Sequence, residues 1–177
     1  MRKVNLYLIM MVVATGAAAQ NPFQPKKETL EAMQKISFLI GSWKGSGWIQ
    51  MGPEKHSFNQ TENIVSKVNG TVIQIDGLGK DEKNPDLVIH QAFAIISYDS
   101  QKAEYLMKAY RGDGGQIDAD VTLVDDHTFQ WGFSSAIIGQ IKYTISVTNN
   151  KWAEIGEMSR DGGKTWMKYF EMTLNRQ

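Results

Sequence analysis

Beyond Gly41 the chain is a succession of segments in which apolar and polar residues alternate, and short turns separate them. A period of two is typical of β-strands that have one face in a core and the other in water. The ten segments of this kind are 42–51, 56–68, 71–79, 87–97, 103–110, 116–124, 128–133, 140–148, 152–159 and 164–174. Turn formers such as Gly52-Pro53 and Asn69-Gly70 lie between them, which favours hairpin connections.

Short connections require each strand to run antiparallel to the next, and an open sheet of ten strands would leave two exposed edges. Closing the sheet into a barrel removes both edges. One helix precedes the strands, because apolar residues recur at helical spacing from Leu30, with Thr29 as the expected N-cap and Gly41 as the stop. The sequence therefore predicts an all-β fold, an antiparallel up-and-down barrel of about ten strands with one N-terminal helix capping an end. A two-sheet sandwich has the same strand pattern and stays open as the alternative.

Residues 1–19 have the pattern of a secretory signal peptide. Arg2 and Lys3 are followed by an apolar stretch over 6–14, and small residues end at Ala19, after which we expect cleavage. Residues 20–28 are expected to be a flexible lead-in, and 29–177 a single barrel domain. These features predict a secreted or periplasmic protein.

Charge and composition exclude several classes of partner. Without Arg2 and Lys3 the mature chain has 17 basic residues against 19 acidic ones, a net charge of −2. Such a balance gives no electrostatic reason to expect nucleic acid or an anionic membrane. The sequence contains no cysteine, so disulfides, thiolate nucleophiles and a lipobox anchor are not expected. Nothing in the sequence determines the oligomeric state.

The stretch 159–166 fits the Asp-box pattern S-x-D-x-G-x-T-W. Asp161 can accept backbone N–H bonds across the turn, the glycines permit the chain reversal, and Trp166 is expected to clamp the base of the hairpin. These are structural roles. Asp boxes also occur in sialidase propellers, but a propeller needs several blades, and this domain has one copy of the motif.

The opening of the first strand, Gly41-Ser42-Trp43, resembles that of calycin-type barrels, and Gly45 and Gly47 extend the match to the G-x-W-x-G-x-G of nitrobindin-like haem barrels. The resemblance implies that Trp43 packs across the closed end of the barrel with an arginine of the last strand, here Arg176, over it. Together with 88–98 and 152–176, these residues resemble a family of uncharacterised, often secreted bacterial proteins with a calycin-like barrel.

Nitrobindin-like barrels take their axial histidine from late in the chain, whereas no histidine follows His127 here. We therefore expect neither haem nor another cofactor. The histidines, His56, His90 and His127, have no spacing that would place two ligands on one metal ion, so no metal site is expected. His90 lies in the middle of a strand, and both a structural and a ligand-binding role remain open for it.

Strand parity places Trp131 and Tyr143 on the apolar, inward faces of their strands, and Glu154 on the face of Trp152. A buried Glu154 would need a partner such as Lys168 or Lys142. We predict that His90, Trp131, Tyr143 and Glu154 line one interior pocket for a small apolar or amphipathic ligand. The alternatives are an enzyme with an acid–base pair at the barrel mouth and an interaction module with a filled barrel. No catalytic residue is assigned.

Overall fold

A computed structural model describes residues 24–177. The predicted signal peptide and its cleavage after Ala19 lie outside the described residues. None of the helices in the described part of the chain is long and apolar enough to cross a membrane.

Ten strands form one closed antiparallel barrel in which every strand pairs with its sequence neighbours and the first pairs with the last. The strands are β1 Gly41–Met51, β2 Glu54–Lys67, β3 Val72–Asp81, β4 Val88–Asp99, β5 Glu104–Arg111, β6 Gln116–Asp125, β7 Thr128–Ser135, β8 Gly139–Thr148, β9 Lys151–Ser159 and β10 Met167–Arg176. This architecture confirms the predicted barrel and rules out the two-sheet sandwich.

The helix that precedes the barrel, α1 (Lys27–Lys35), differs from its predicted bounds. It begins two residues before Thr29, and Lys26 occupies the N-cap position without a side-chain hydrogen bond. The predicted cap at Thr29 is therefore wrong. A 3₁₀ turn over Ser37–Leu39 follows α1, and Gly41 is the first residue of β1 instead of the helix stop.

The helix closes one end of the barrel, as the sequence predicts. Met33, Ile36 and Leu39 are almost completely buried in the same apolar core as the strands. The Tyr105 hydroxyl on β5 donates a hydrogen bond of 2.7 Å to the carbonyl oxygen of Ala32 in α1. The other end carries the loops after β1, β3, β5, β7 and β9, and we call it the mouth.

Trp43 and Arg176 pack together at the closed end, in the arrangement that the resemblance implies. The guanidinium carbon lies 4.0 Å from the centre of the Trp43 ring. The guanidinium also donates hydrogen bonds to the carbonyl oxygens of Phe38, at 3.0 Å, and Ile40. Arg176 thus joins the last strand to the segment between α1 and β1.

The Asp-box residues form the connection between β9 and β10 and make the hydrogen bonds expected of the motif. Asp161 accepts bonds from the backbone N–H of Thr165 at 2.9 Å and from its hydroxyl at 2.6 Å. These bonds hold the pKa of Asp161 down at about 2. The Trp166 indole donates to the carbonyl oxygen of Gly163 at 3.1 Å. Because Asp161 organises all of 160–166 as a loop, β10 starts at Met167 and not at the predicted residue 164.

Candidate functional site in the barrel interior

Towards the closed end, large side chains fill the barrel, and nearer its middle small residues leave space. Ala92, Ala94 and Ala109 face inward on neighbouring strands, and a cavity of about 110 Å³ lies beside them. The residues that line the cavity are Ile49, Gln60, Glu62, Ile75, His90, Ala92, Ala94, Met107, Ala109, Trp131, Tyr143, Ile145, Trp152, Glu154, Phe170 and Met172. The cavity is mainly apolar, with a few polar groups.

All four residues predicted to bind a ligand line this one cavity. His90 comes from β4, Trp131 from β7, Tyr143 from β8 and Glu154 from β9. Strand alternation brings them together, because each belongs to the inward-facing set of its strand. Their role in binding stays a prediction.

Aromatic rings form one wall. The rings of Trp131 and Tyr143 are stacked with their centroids 4.3 Å apart, and Phe170 packs edge-on against Tyr143 at 5.6 Å. The hydroxyl of Tyr169 on β10 donates a hydrogen bond to that of Tyr143. Burial raises the pKa of both phenols, that of Tyr169 to about 12, so neither ionises near neutral pH. This wall is therefore aromatic and uncharged near neutral pH.

Glu154 is buried without a cationic partner. It is 5% exposed and accepts a hydrogen bond of 3.1 Å from the Trp152 indole. Burial, and to a smaller extent the charge of Glu62, raises its pKa to about 8. The predicted partnership with Lys142 or Lys168 is wrong.

The reason is strand parity, since both lysines face outward and have other partners. Lys142 forms a 3.0 Å ion pair with Glu157, and Lys168 a 2.6 Å ion pair with Glu171. Each ammonium group also lies over an outer tryptophan, that of Lys142 being 4.1 Å from the ring centre of Trp166. Lys142 and Lys168 therefore do not neutralise a charge inside the barrel.

A second interior carboxyl group, that of Glu62 on β2, was missed by sequence reasoning. Glu62 is 7% exposed and accepts a hydrogen bond of 2.7 Å from the side-chain amide of Gln60. Burial raises its pKa to about 7. The signal in the sequence was that Gln60 and Glu62 lie on the same face of β2 as Phe58 and Ile64, which are fully buried.

Glycines on β3 make room for these polar side chains. A Cβ atom on Gly77 would lie 2.8 Å from both carboxylate oxygens of Glu62. A Cβ atom on Gly79 would collide with the side-chain oxygen of Gln60. The inward face of β2 thus carries long polar side chains at the places where the neighbouring face of β3 has glycine.

Two acceptor atoms in this cluster have no hydrogen-bond partner among residues 24–177. They are Oε1 of Gln60 and Oε2 of Glu62, both buried. No lysine or arginine in the described part of the chain lines the cavity. His90 offers no positive charge near neutral pH, because burial lowers its pKa. The cavity therefore presents acceptors that the described residues leave unsatisfied.

Comparisons with known proteins bear on the fold. No protein-family profile and no curated protein matches the sequence. Among solved structures, the chain is similar to Rv2717c from M. tuberculosis, with a TM-score of 0.61 at 10% identity over 82% of this chain and 97% of that one. It is also similar to the S-type phycobiliprotein lyase CPES from Guillardia theta, with a TM-score of 0.57 at 13% identity over 86% and 98%. At 10% and 13% identity, these similarities concern the fold alone.

Proposed function

We propose that this chain is a secreted or periplasmic barrel protein that binds a small amphipathic molecule in its interior cavity. The observation that carries the proposal is the convergence of His90, Trp131, Tyr143 and Glu154, from four strands, on one mainly apolar space. Apolar walls with a few placed polar groups are typical of ligand sites. The signal-like residues 1–19 support export, and the G-x-W-x-G-x-G opening supports membership of the secreted bacterial family that the sequence resembles.

The cavity volume limits the ligand. Cavities for drug-sized molecules begin at about 300 Å³, and an engineered apolar cavity of about 150 Å³ accepts benzene. A space of about 110 Å³ therefore suits a molecule of roughly five or six non-hydrogen atoms. Haem is far larger than this and is not proposed. A space of this volume is smaller than the cavity of a carrier for drug-sized molecules, and the filled barrel of the interaction-module alternative would lack it.

The two carboxyl groups give the enzymatic alternative a physical basis. A carboxyl group with a pKa near neutrality can both take and release a proton at physiological pH, and Glu62 and Glu154 have pKa values of about 7 and about 8. They lie inside the barrel, however, and not at its mouth as that alternative expects. Recovery of an unchanged ligand after prolonged incubation favours binding, and its conversion favours an enzyme.

Filling the cavity is expected to abolish interior binding. In the wild-type protein, isobutanol should shift the indole N–H signals of Trp131 and Trp152 in a ¹H–¹⁵N spectrum, with a Kd of about 0.1–1 mM. Ala94→Leu adds three carbon atoms to a cavity-lining position that is 4% exposed. The bulkier side chain occupies the ligand's space, so the shifts should disappear.

Ile95→Leu is the matched control, because its side chain is on the outer face of the same strand and is 37% exposed. This variant should bind as the wild type does. If Ala94→Leu folds and still binds isobutanol with unchanged affinity, the interior is not the binding site. If the wild-type protein shows no saturable shift for any small amphipathic molecule tested, the proposal fails.

A further inference from the structure

We propose, building on interior ligand binding, that the ligand is a small primary alkylamine whose ammonium group is held by Gln60, Glu62 and Glu154. The polar end of the cavity is a set of acceptors, and a protonated amine offers three N–H donors on one atom. The inference deepens the proposed function, because it assigns the chemistry of the ligand's head group.

Unsatisfied hydrogen-bond acceptors at this end of the cavity favour a ligand that donates. Buried polar atoms in folded proteins are nearly always paired, and an unpaired one costs free energy. Oε1 of Gln60 and Oε2 of Glu62 are unpaired in the described structure, in side chains that are 1% and 7% exposed. Oε1 of Gln60 can only accept, so the group that completes the site must be a donor.

The backbone at this end of the cavity makes room for the side chains of Gln60 and Glu62. Gly77 and Gly79 leave the space that Glu62 and Gln60 occupy, and any side chain at either position would collide with them. The side-chain N–H of Gln60 donates to Oε1 of Glu62, so Oε1 of Gln60 and Oε2 of Glu62 are the two atoms left without a donor. Two unpartnered oxygens are thus fixed beside the cavity and are not free to turn towards water.

The charges around the carboxyl pair favour a cationic ligand. The titratable groups facing the carboxyl pair are His90 on β4, Tyr143 on β8 and Tyr169 on β10, and Asp76 on β3 adds a repulsive charge to Glu62. Arg111, whose charge acts on Tyr143, is 2.8 Å from Asp113 and lies outside the cavity lining. A ligand cation would compensate the two carboxylates, which nothing within residues 24–177 does.

A metal ion is the other cation to consider. No group of three or more His, Cys, Asp or Glu side chains suited to a metal ion occurs among residues 24–177. Calcium and magnesium need about six oxygen ligands, whereas the cavity offers two carboxyl groups and one amide. The walls opposite are aliphatic and aromatic, from Ala94, Met107 and Trp131, which suits an alkyl chain. An alkylamine therefore matches the acceptors at one end of the cavity with its ammonium group and the apolar walls with its alkyl chain.

The test compares isobutylamine with isobutanol, which has the same carbon skeleton and size but no charge. At pH 8 isobutylamine is expected to bind at least about tenfold more tightly, because its hydrogen bonds are charge-assisted. Its affinity should fall at least about tenfold between pH 8 and pH 5, since the amine stays charged and the carboxyl groups become protonated. Calorimetry at pH 7 in phosphate and in Tris should detect protons released on binding.

Glu154→Gln and Glu62→Gln each remove one interior carboxylate with little change in size. Either variant should lower the affinity for isobutylamine at least about fivefold and leave the affinity for isobutanol within about twofold of the wild-type value. Glu157→Gln, which removes an outward carboxylate of the same strand, should change neither affinity. Gly77→Ala displaces the carboxyl group of Glu62, so it should lower the affinity for isobutylamine as Glu62→Gln does.

Each result separates the two proposals. If the amine and the alcohol bind equally in wild type and in the glutamine variants, the amine inference is wrong and interior binding stands. If neither molecule binds, both proposals fail. Amine binding that survives Ala94→Leu with full affinity would assign it to surface carboxylates and overturn the inference.

Discussion

The free energy of unfolding is expected to fall by on the order of 3–6 kcal/mol as the pH rises from about 5 to about 9. In the unfolded chain Glu62 and Glu154 ionise near pH 4.5, whereas in the barrel their pKa values are about 7 and about 8. Each raised pKa favours the protonated form of the folded state. The stabilisation that protonation of each carboxyl group gives the folded state is complete below pH 4.5, and it is lost as the pH rises through the pKa of that group in the barrel. Urea unfolding at several pH values measures the change.

Other groups act at lower pH and have the opposite sign. The pKa of His90 is lowered by burial, so its contribution is present above about pH 6.5 and is lost at lower pH. Exposed aspartates such as Asp161, whose pKa is about 2, lose their contribution only as the pH falls below about 4. Maximum stability is therefore expected on the acidic side of neutrality, near pH 5 to 6.

Glu154→Gln separates the carboxyl contribution from the rest. The variant should be more stable than wild type at pH 9, about equal to it at pH 4.5, and less dependent on pH between them. Glu157→Gln is the control, since that side chain is on the outer surface in an ion pair with Lys142. A wild-type stability that rises steadily from pH 5 to pH 9 would contradict the described burial of the carboxyl pair.

Arg176→Ala is expected to lower the free energy of unfolding by about 2–4 kcal/mol. The substitution removes a guanidinium that lies 4.0 Å from the Trp43 ring centre, a contact that contributes about 0.5–2 kcal/mol. It also leaves the carbonyl oxygens of Phe38 and Ile40 without these donors. Leaving a buried acceptor unsatisfied costs about 1–3 kcal/mol. For a domain of this size, the melting temperature should fall by roughly 5–15 °C.

Arg176→Lys tests which property of the side chain matters. Lysine keeps the charge but lacks the planar fork that reaches two carbonyl groups while lying flat on an indole. It should therefore recover less than half of the loss. A melting temperature for Arg176→Ala within 1 °C of wild type would mean that this contact does not hold the barrel closed.

The architecture could be predicted from the sequence because alternation and turns are local signals. These signals locate all ten strands, and closure into a barrel is predicted because an open sheet would leave two exposed edges. The boundaries failed where side chains override the local pattern. Asp161 holds 160–166 as a loop, and the burial of Ile36 and Leu39 accompanies a change from α-helix to 3₁₀ turn before Gly41.

The candidate site was predicted in part, for a physical reason. Trp131, Tyr143 and Glu154 could be predicted because aromatic or apolar neighbours mark the inward face of their strands, whereas both faces of the strand that carries His90 are largely apolar and alternation alone does not place it. Glu62 was missed because β2 alternates between two kinds of polar residue, with Asn59, Thr61 and Asn63 outside and Gln60 and Glu62 inside. Only Phe58 and Ile64, at the two ends of this polar stretch, mark the inward face of β2. The predicted lysine partners of Glu154 are wrong for a different reason, because Lys142 and Lys168 lie on the outer faces of their strands and pair with Glu157 and Glu171.

Closure of the barrel by β1 and β10 has a consequence for how the chain folds. The hydrogen bond from Arg176 to Phe38 joins residues 138 positions apart, and the whole β1–β10 ladder spans a similar separation. Contacts so distant in sequence form late and slowly, because the entropy of the intervening loop is lost before they form. A chain still growing on the ribosome, with β10 not yet made, would present β1 and β9 as two unpaired edges open to other chains. Both edges are covered only when β10, the last strand of the barrel, has paired with β1 and β9.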